Sequence, residues 1–118
     1  MLVHECGHML SAILGGASII DVELRPWKLS HTLIADSDHQ IMDAWMGPIF
    51  GAVFPALLFL MLKQTRLKTI LGFFAGFCLV GNGVYIGIGW LGPYGDAEVM
   101  VQLGVPVAIM ITFGLVAS

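Results

Sequence analysis

The side chains best suited to chemistry lie at the start of the chain, in the run His4-Glu5-Cys6-Gly7-His8. Residues four apart on a helix lie on the same face, so the two imidazoles of this H-E-x-x-H pattern can bind one Zn²⁺ ion. Zinc lowers the pKa of a bound water to about 7, and the neighbouring Glu5 is placed to take its proton as a general base. The pattern therefore predicts zinc-dependent hydrolysis, with His4 and His8 as metal ligands.

A third protein ligand is needed, because catalytic zinc sites usually have three. The longer pattern H-E-x-x-H-x-x-G-x-x-H would supply it, but Ser11 and Leu14 occupy its later positions. Asp96 is our candidate, since it stands between two apolar stretches and is one of very few acids outside the polar segment; Glu98 is the alternative. We expect the other candidate groups to be solvated, namely His31, Asp36, Asp38 and His39.

The composition indicates that these residues are carried by membrane helices. The chain has 118 residues, of which 58% are hydrophobic and 11% charged, and its mean hydropathy is +0.90. A soluble domain carries about 25% charged residues, because water covers its surface. A lipid bilayer is the solvent that tolerates so few charges. The five basic residues form no cluster that could follow a phosphate backbone, which argues against nucleic acid as a partner.

Three apolar segments, 41–62, 70–91 and 99–117, have about the 20 residues that a helix needs to cross a bilayer. The first contains a single charge, Asp43, near its start, and the others contain none. Residues 1–16 form a shorter fourth helix that carries the H-E-x-x-H pattern. The expected fold is therefore an all-α, polytopic bundle of about four membrane helices, in one membrane-embedded domain over residues 1–118.

The polar segment between the first two helices alternates apolar and polar residues on either side of Pro26. This period-two pattern favours a small β-hairpin, and an irregular loop is an equally weighted alternative.

The geometry of the spans also predicts that the chain begins inside its first membrane helix and that the protein extends further upstream. A complete first helix would start about 30 Å from Asp96, across the bilayer core, whereas zinc ligands lie about 2 Å from the metal. The alternative is that Met1 is the genuine start and that the first helix is a half-span covered by a partner chain.

These features resemble the site-2 protease family of intramembrane zinc metalloproteases. The resemblance rests on the H-E-x-x-H helix, the polar hairpin-like segment, a span containing Gly47-Pro48, and Asp96 after a glycine-rich span. It covers approximately residues 1–100. It implies a multi-pass membrane enzyme that cleaves transmembrane or membrane-proximal segments of its substrates, with Asp96 as the third zinc ligand.

The resemblance also implies roles for the segments around the catalytic helix. In this family, the segment after that helix can pair with an unwound substrate as an added strand, which residues 22–25 or 29–34 would do here. Gly47 and Gly51 match a small-residue motif that permits close helix packing, with or without a role in substrate binding, while Pro48 frees backbone groups.

The segment before Asp96 departs from the family pattern. The family commonly has an Asp-Gly pair shortly after an asparagine and a proline, whereas Ala97 follows Asp96 here and Asn82 lies further upstream. An asparagine inside a span can instead bond a neighbouring helix.

Three functions can be compared on these residues. An intramembrane zinc protease accounts for the intact Glu5, which a catalytically inactive scaffold or regulator of the same fold would not need. A small metal-ion transporter predicts further ionisable groups inside the other spans, and apart from Asp43 near one end they contain none. The protease is therefore the favoured function, and its partners would be the lipid bilayer and a membrane protein or peptide substrate.

Overall fold

A computed structural model describes residues 2–25, 31–35, 38–92 and 95–118. This part of the chain forms five helices and one small antiparallel sheet. In chain order the elements are α1 (Leu2–Gly15), β1 (Ile19–Glu23), β2 (His31–Ile34), α2 (Gln40–Leu62), α3 (Lys68–Gly89), α4 (Asp96–Gln102) and α5 (Val107–Ala117).

The first helix and the hairpin agree with the sequence pattern. Helix α1 ends at Gly15, and Gly16 follows with a φ of 69°, a left-handed conformation that glycine adopts without steric cost and that ends helices. Strands β1 and β2 pair antiparallel. The polar segment is therefore a hairpin and not an irregular loop, although residues 26–30, which include the predicted proline turn, lie outside the described residues.

Two helices are long and apolar enough to cross a membrane. They are α2 and α3, which correspond to the predicted spans 41–62 and 70–91. Only 28% of the apolar window of α2 and 22% of that of α3 is buried inside the protein. Because a core helix of a soluble protein would be mostly buried, these two helices present the apolar outer surface that a lipid environment stabilises.

The prediction of one continuous membrane helix over residues 99–117 is wrong. The segment is divided between α4, which ends at Gln102, and α5, which begins at Val107. Gly104 between them has a φ of 81°, and Pro106, with extended backbone, precedes α5. Proline cannot donate an interior helix bond, so the helix restarts after it. The 11 residues of α5 span about 16 Å, about half of a bilayer core.

The helices pack in sequence order around the residues of the candidate site. Helix α1 packs against α2, α2 against α3, and α3 against α5. The short α4 packs against both α2 and α3, because its buried Ala97 and Met100 join a core with Ala44, Ile86 and Met110. This packing holds the first residue of α4 beside the junction of α1, α2 and α3.

Helices α3 and α5 approach so closely at Gly114 that a side chain there would not fit. A Cβ atom on Gly114 would lie 2.7 Å from the Cα atom of Gly87 and 2.9 Å from the carbonyl oxygen of Gly83. We expect Gly114→Ala to lower the free energy of unfolding by about 1–3 kcal/mol, because backbone atoms must move apart. Gly81→Ala on α3 is the matched control, since nothing lies within 4 Å of its Cβ position. Thermal unfolding in detergent measures both, and a Gly114→Ala protein as stable as the wild type would contradict the prediction.

Candidate metal centre

Three side chains that can bind a metal converge where α1, α3 and α4 meet. The Nε2 atom of His4 lies 2.7 Å from Oδ2 of Asp96, and Nε2 of His8 lies 3.3 Å from the same oxygen. The two Nε2 atoms are 3.2 Å apart. His4 and His8 are almost fully buried, and the Asp96 side chain is 21% exposed. The structure thus brings together the two histidines of the sequence pattern and the aspartate chosen as the third candidate.

The other ring nitrogen of each histidine determines which atom is free to bind a metal. Nδ1 of His4 donates to Oδ1 of Asn82 at 2.7 Å, and the amide orientation is set because Nδ2 of Asn82 donates to the Cys78 carbonyl. Nδ1 of His8 donates to the backbone carbonyl of Asp43, also at 2.7 Å. Since a carbonyl oxygen can only accept, each neutral ring carries its hydrogen on Nδ1 and its lone pair on Nε2.

The donor set fits a zinc ion. Tetrahedral ligands about 2.0–2.1 Å from zinc lie about 3.3 Å from one another, which matches two of the three donor separations. Burial raises the pKa of Asp96, but its hydrogen bonds with His4 and His8 outweigh that effect and lower the pKa to about 2. The carboxylate is therefore ionised at neutral pH. Metal ligands must be deprotonated, so an ionised carboxylate beside two imidazoles with Nε2 free is the form that can bind a divalent cation.

Two glycines of α2 make room for this group. A Cβ atom on Gly47 would overlap the imidazole of His8, whose Cε1 and Cδ2 atoms would lie within 2.6 and 2.7 Å. A Cβ atom on Gly51 would lie 2.6 Å from Oδ1 of Asn82. The predicted close packing beside the first helix is therefore present, and it accommodates the imidazole of one candidate ligand and the amide that orients the other.

Asp43 connects the start of α2 to the first helix. Its carbonyl accepts from His8, and its carboxylate oxygen Oδ1 accepts a hydrogen bond from the hydroxyl of Ser11, one turn further along α1. The second oxygen, Oδ2, is buried without a hydrogen-bond partner within the described residues. The side-chain bond holds the carbonyl of Asp43 opposite the imidazole of His8. Pro48, in contrast, leaves the carbonyl of Ala44 without a helical donor, so the carbonyl that His8 contacts is not the freed one.

Glu5 is buried and bonds a strand that lines an open cleft. It is 2% exposed, and its Oε2 accepts a hydrogen bond of 2.9 Å from the hydroxyl of Thr32 on β2. A cleft of about 270 Å³ runs along this strand. It is lined by Thr32 and the next three residues together with His8, Asp96 and the start of α2. A ligand in this cleft would contact both the metal-binding group and β2.

The other candidates from the sequence lie outside this group. Glu98, the alternative ligand, accepts a hydrogen bond from the side chain of Gln102 at 2.9 Å. His31, Asp38 and His39 are exposed, as expected, and Asp36 lies outside the described residues.

Sequence reasoning gave Asn82 only a bond to a neighbouring helix, without naming His4 as its partner, and missed the site contacts of Ser11, Thr32, Asp43 and Tyr85. A signal existed for two of them, because Asp43 is the one charge in its apolar span and Asn82 is a polar residue within the next. Polar groups at membrane depth are costly and are commonly functional.

The fold and the site define a helical protein with apolar helices of membrane-spanning length and a three-residue group able to hold a metal. The family model described as Peptidase M50B-like matches residues 1–87. The match covers well over half of the chain, and the protein belongs to this family, which is the membrane-embedded site-2 protease family. Its M50 members are zinc metalloproteases. No curated protein and no solved structure matches the chain. Asp96 lies beyond the matched residues.

Asp96 and Glu98 stand two residues apart on α4, which allows a direct comparison of the two candidate third ligands. We expect Asp96→Ala to weaken zinc binding by more than about 100-fold. Losing a residue that only orients a metal ligand usually weakens metal binding by about 10- to 100-fold, and losing a ligand itself should weaken it further. Glu98→Ala should leave zinc affinity nearly unchanged, because this carboxylate bonds Gln102. Competition with a chromophoric chelator measures both affinities in detergent. If Glu98→Ala weakened zinc binding more than Asp96→Ala, Glu98 and not Asp96 would be the third ligand.

Proposed function

We propose that the protein is an intramembrane zinc peptidase that hydrolyses peptide bonds in membrane or membrane-proximal segments. The observation that carries this proposal is the convergence of Nε2 of His4, Nε2 of His8 and Oδ2 of Asp96, all within 4.8 Å of one another. Membership in a family of zinc metalloproteases supports the same reading of the donor group.

In this proposal His4, His8 and Asp96 would hold Zn²⁺, which supplies a water of lowered pKa, about 7, and polarises the substrate carbonyl. Glu5 follows His4 directly on α1 and would accept the proton of the attacking water and pass it to the departing amine. The hydroxyl of Thr32 holds the carboxylate of Glu5 in one orientation. Asn82 and the carbonyl of Asp43 keep both imidazoles in the tautomer that leaves Nε2 free.

The substrate would lie along β2. Within the described residues, β2 pairs only with β1, so its other edge can accept a further strand. Residues 32–35 line the cleft that also contains His8 and Asp96. A peptide segment that leaves its helix and pairs with this edge would place a backbone carbonyl beside the donor group. Of the two strand segments expected from the sequence, residues 29–34 contain β2, although residues 29 and 30 lie outside the described part.

The apolar outer surfaces of α2 and α3 support a membrane location for this reaction. Large side chains such as Phe73, Phe77 and Met61 are more than two-thirds exposed, which is favourable in contact with lipid chains. We infer that the protein is an integral membrane protein and that its substrates reach the cleft from the bilayer or its surface.

Metal content tests the donor group separately from catalysis. The purified protein should bind one equivalent of zinc, and His4→Ala and His8→Ala should each lose it on gel filtration, because two remaining donors hold the ion too weakly. His31→Ala is the matched control, since this exposed histidine on the hairpin lies beside Asp21 and away from the group. Mass spectrometry of the metal measures the result. Equal zinc content in all three variants would refute the assignment.

Catalysis is tested by Glu5→Gln, which keeps the size of the side chain and its ability to accept from Thr32 but removes the base. We expect cleavage of tagged single-span membrane proteins, co-expressed with the chain, to fall by at least about 10²–10⁴-fold, while zinc stays bound. Glu98→Gln should cleave at the wild-type rate. Cleavage by Glu5→Gln at that same rate would refute the peptidase assignment. Zinc binding without cleavage by any form would favour the inactive scaffold.

A further inference from the structure

The third donor is held less directly than the two histidines. His4 and His8 share one 14-residue helix, whereas Asp96 begins a helix of only seven residues. The preceding residue, Gly95, has a φ of 84° and no side chain of its own to cap the start of α4. A metal ligand must be positioned to within about 0.5 Å. Some other contact therefore has to fix the backbone of Asp96.

Tyr85 on α3 makes that contact. Its hydroxyl oxygen accepts a hydrogen bond from the backbone N–H of Asp96 at 3.2 Å. The same hydroxyl lies against Gly95 so closely that a Cβ atom on Gly95 would overlap it. The tyrosine ring and the imidazole of His4 pack in a T-shaped arrangement, with the ring centroids 5.4 Å apart and the planes at 83°. One side chain thus touches two of the three candidate ligands.

Helix α3 carries, on one face, two residues that contact the candidate metal ligands. Asn82 and Tyr85 are three residues apart, a spacing that places side chains side by side on a helix. Asn82 orients the imidazole of His4 through its amide oxygen, and Tyr85 lies against the same imidazole and holds the start of α4. The face of α3 is therefore a support that sets the distance between α1 and α4.

We propose that Tyr85 is a positioning residue for the metal centre, whose hydroxyl fixes the backbone of Asp96 and whose ring fixes His4. This inference rests on the proposed zinc site, but it concerns a residue that binds no metal itself. Without the hydroxyl, the first N–H of α4 loses its acceptor and the carboxylate of Asp96 gains freedom to move. The metal would then be bound by a less ordered set of donors.

The test compares zinc affinity in Tyr85→Phe, which keeps the ring and removes only the hydroxyl. We expect zinc to bind about 3- to 10-fold more weakly, the effect of losing one ordinary hydrogen bond. The visible absorption of the Co²⁺-loaded protein should also change shape, because it reports the arrangement of the ligands. Thr112→Val, which removes a hydroxyl bonded to the Ala108 carbonyl on α5, should change neither.

A second variant tests whether the hydroxyl and Gly95 act together. Gly95→Ala alone should weaken zinc binding, since its methyl group meets the Tyr85 hydroxyl and its φ of 84° disfavours alanine. In the double variant with Tyr85→Phe the overlapping oxygen is gone. The loss of zinc affinity in the double variant should therefore be smaller than the product of the two single losses. A general loss of stability would not produce this non-additivity.

The outcomes separate this inference from the function on which it rests. If Asp96→Ala weakens zinc binding but Tyr85→Phe binds zinc as the wild type does, with an unchanged Co²⁺ spectrum, the positioning role is overturned and the zinc site stands. If neither the wild type nor Tyr85→Phe binds zinc, the proposed function fails, and the inference fails with it. Weaker zinc binding and a changed spectrum in Tyr85→Phe, with Thr112→Val unchanged, support the role.

Discussion

The polar groups of the site lie where apolar helices meet, and because His4, His8 and Asn82 are buried, each needs a hydrogen-bond partner from the protein. An unpaired buried donor or acceptor costs about 1–3 kcal/mol, and each histidine brings two ring nitrogens. The bonds from Nδ1 of His4 to Asn82 and from Nδ1 of His8 to the Asp43 carbonyl meet this need on one side of each ring. On the other side both Nε2 atoms face Asp96, which leaves three lone-pair donors pointed at one another. A divalent cation is the partner that such an arrangement favours.

These hydrogen bonds require backbones to approach closely, and glycine makes the approach possible. A side chain at Gly47 would displace the His8 ring, and one at Gly51 would displace the Asn82 amide. Close packing of helices in lipid is driven by contact and hydrogen bonding, since lipid chains are as apolar as the helices themselves. The small residues of α2 therefore serve the site as well as the bundle. Substituting Gly47 would push away His8, a candidate ligand, and substituting Gly51 would push away Asn82, which orients His4.

The site is connected to its surroundings by single side chains from different elements. Thr32 joins the hairpin to Glu5, and Tyr85 joins α3 to the start of α4. The strand that lines the cleft thus contacts the proposed base directly, and the helix that orients His4 also holds Asp96. If a substrate paired with β2, as we propose, it would lie against the same contacts. This arrangement gives the cleft and the metal group one common framework.

Local spacing was sufficient to predict α1 and the shared face of His4 and His8, because four residues of helix set that face whatever the rest of the chain does. The length of apolar sequence likewise predicted α2 and α3. The position of Asp96 between two apolar stretches favoured it over Glu98 as the third candidate ligand, but only tertiary packing placed that carboxylate beside His4. The break of the last apolar segment and the role of Asn82 were also decided by the tertiary structure. His4 meets Asn82 and Asp96 across 78 and 92 residues of sequence. Contacts at that separation leave no periodic trace in the chain, since they arise from how whole helices pack.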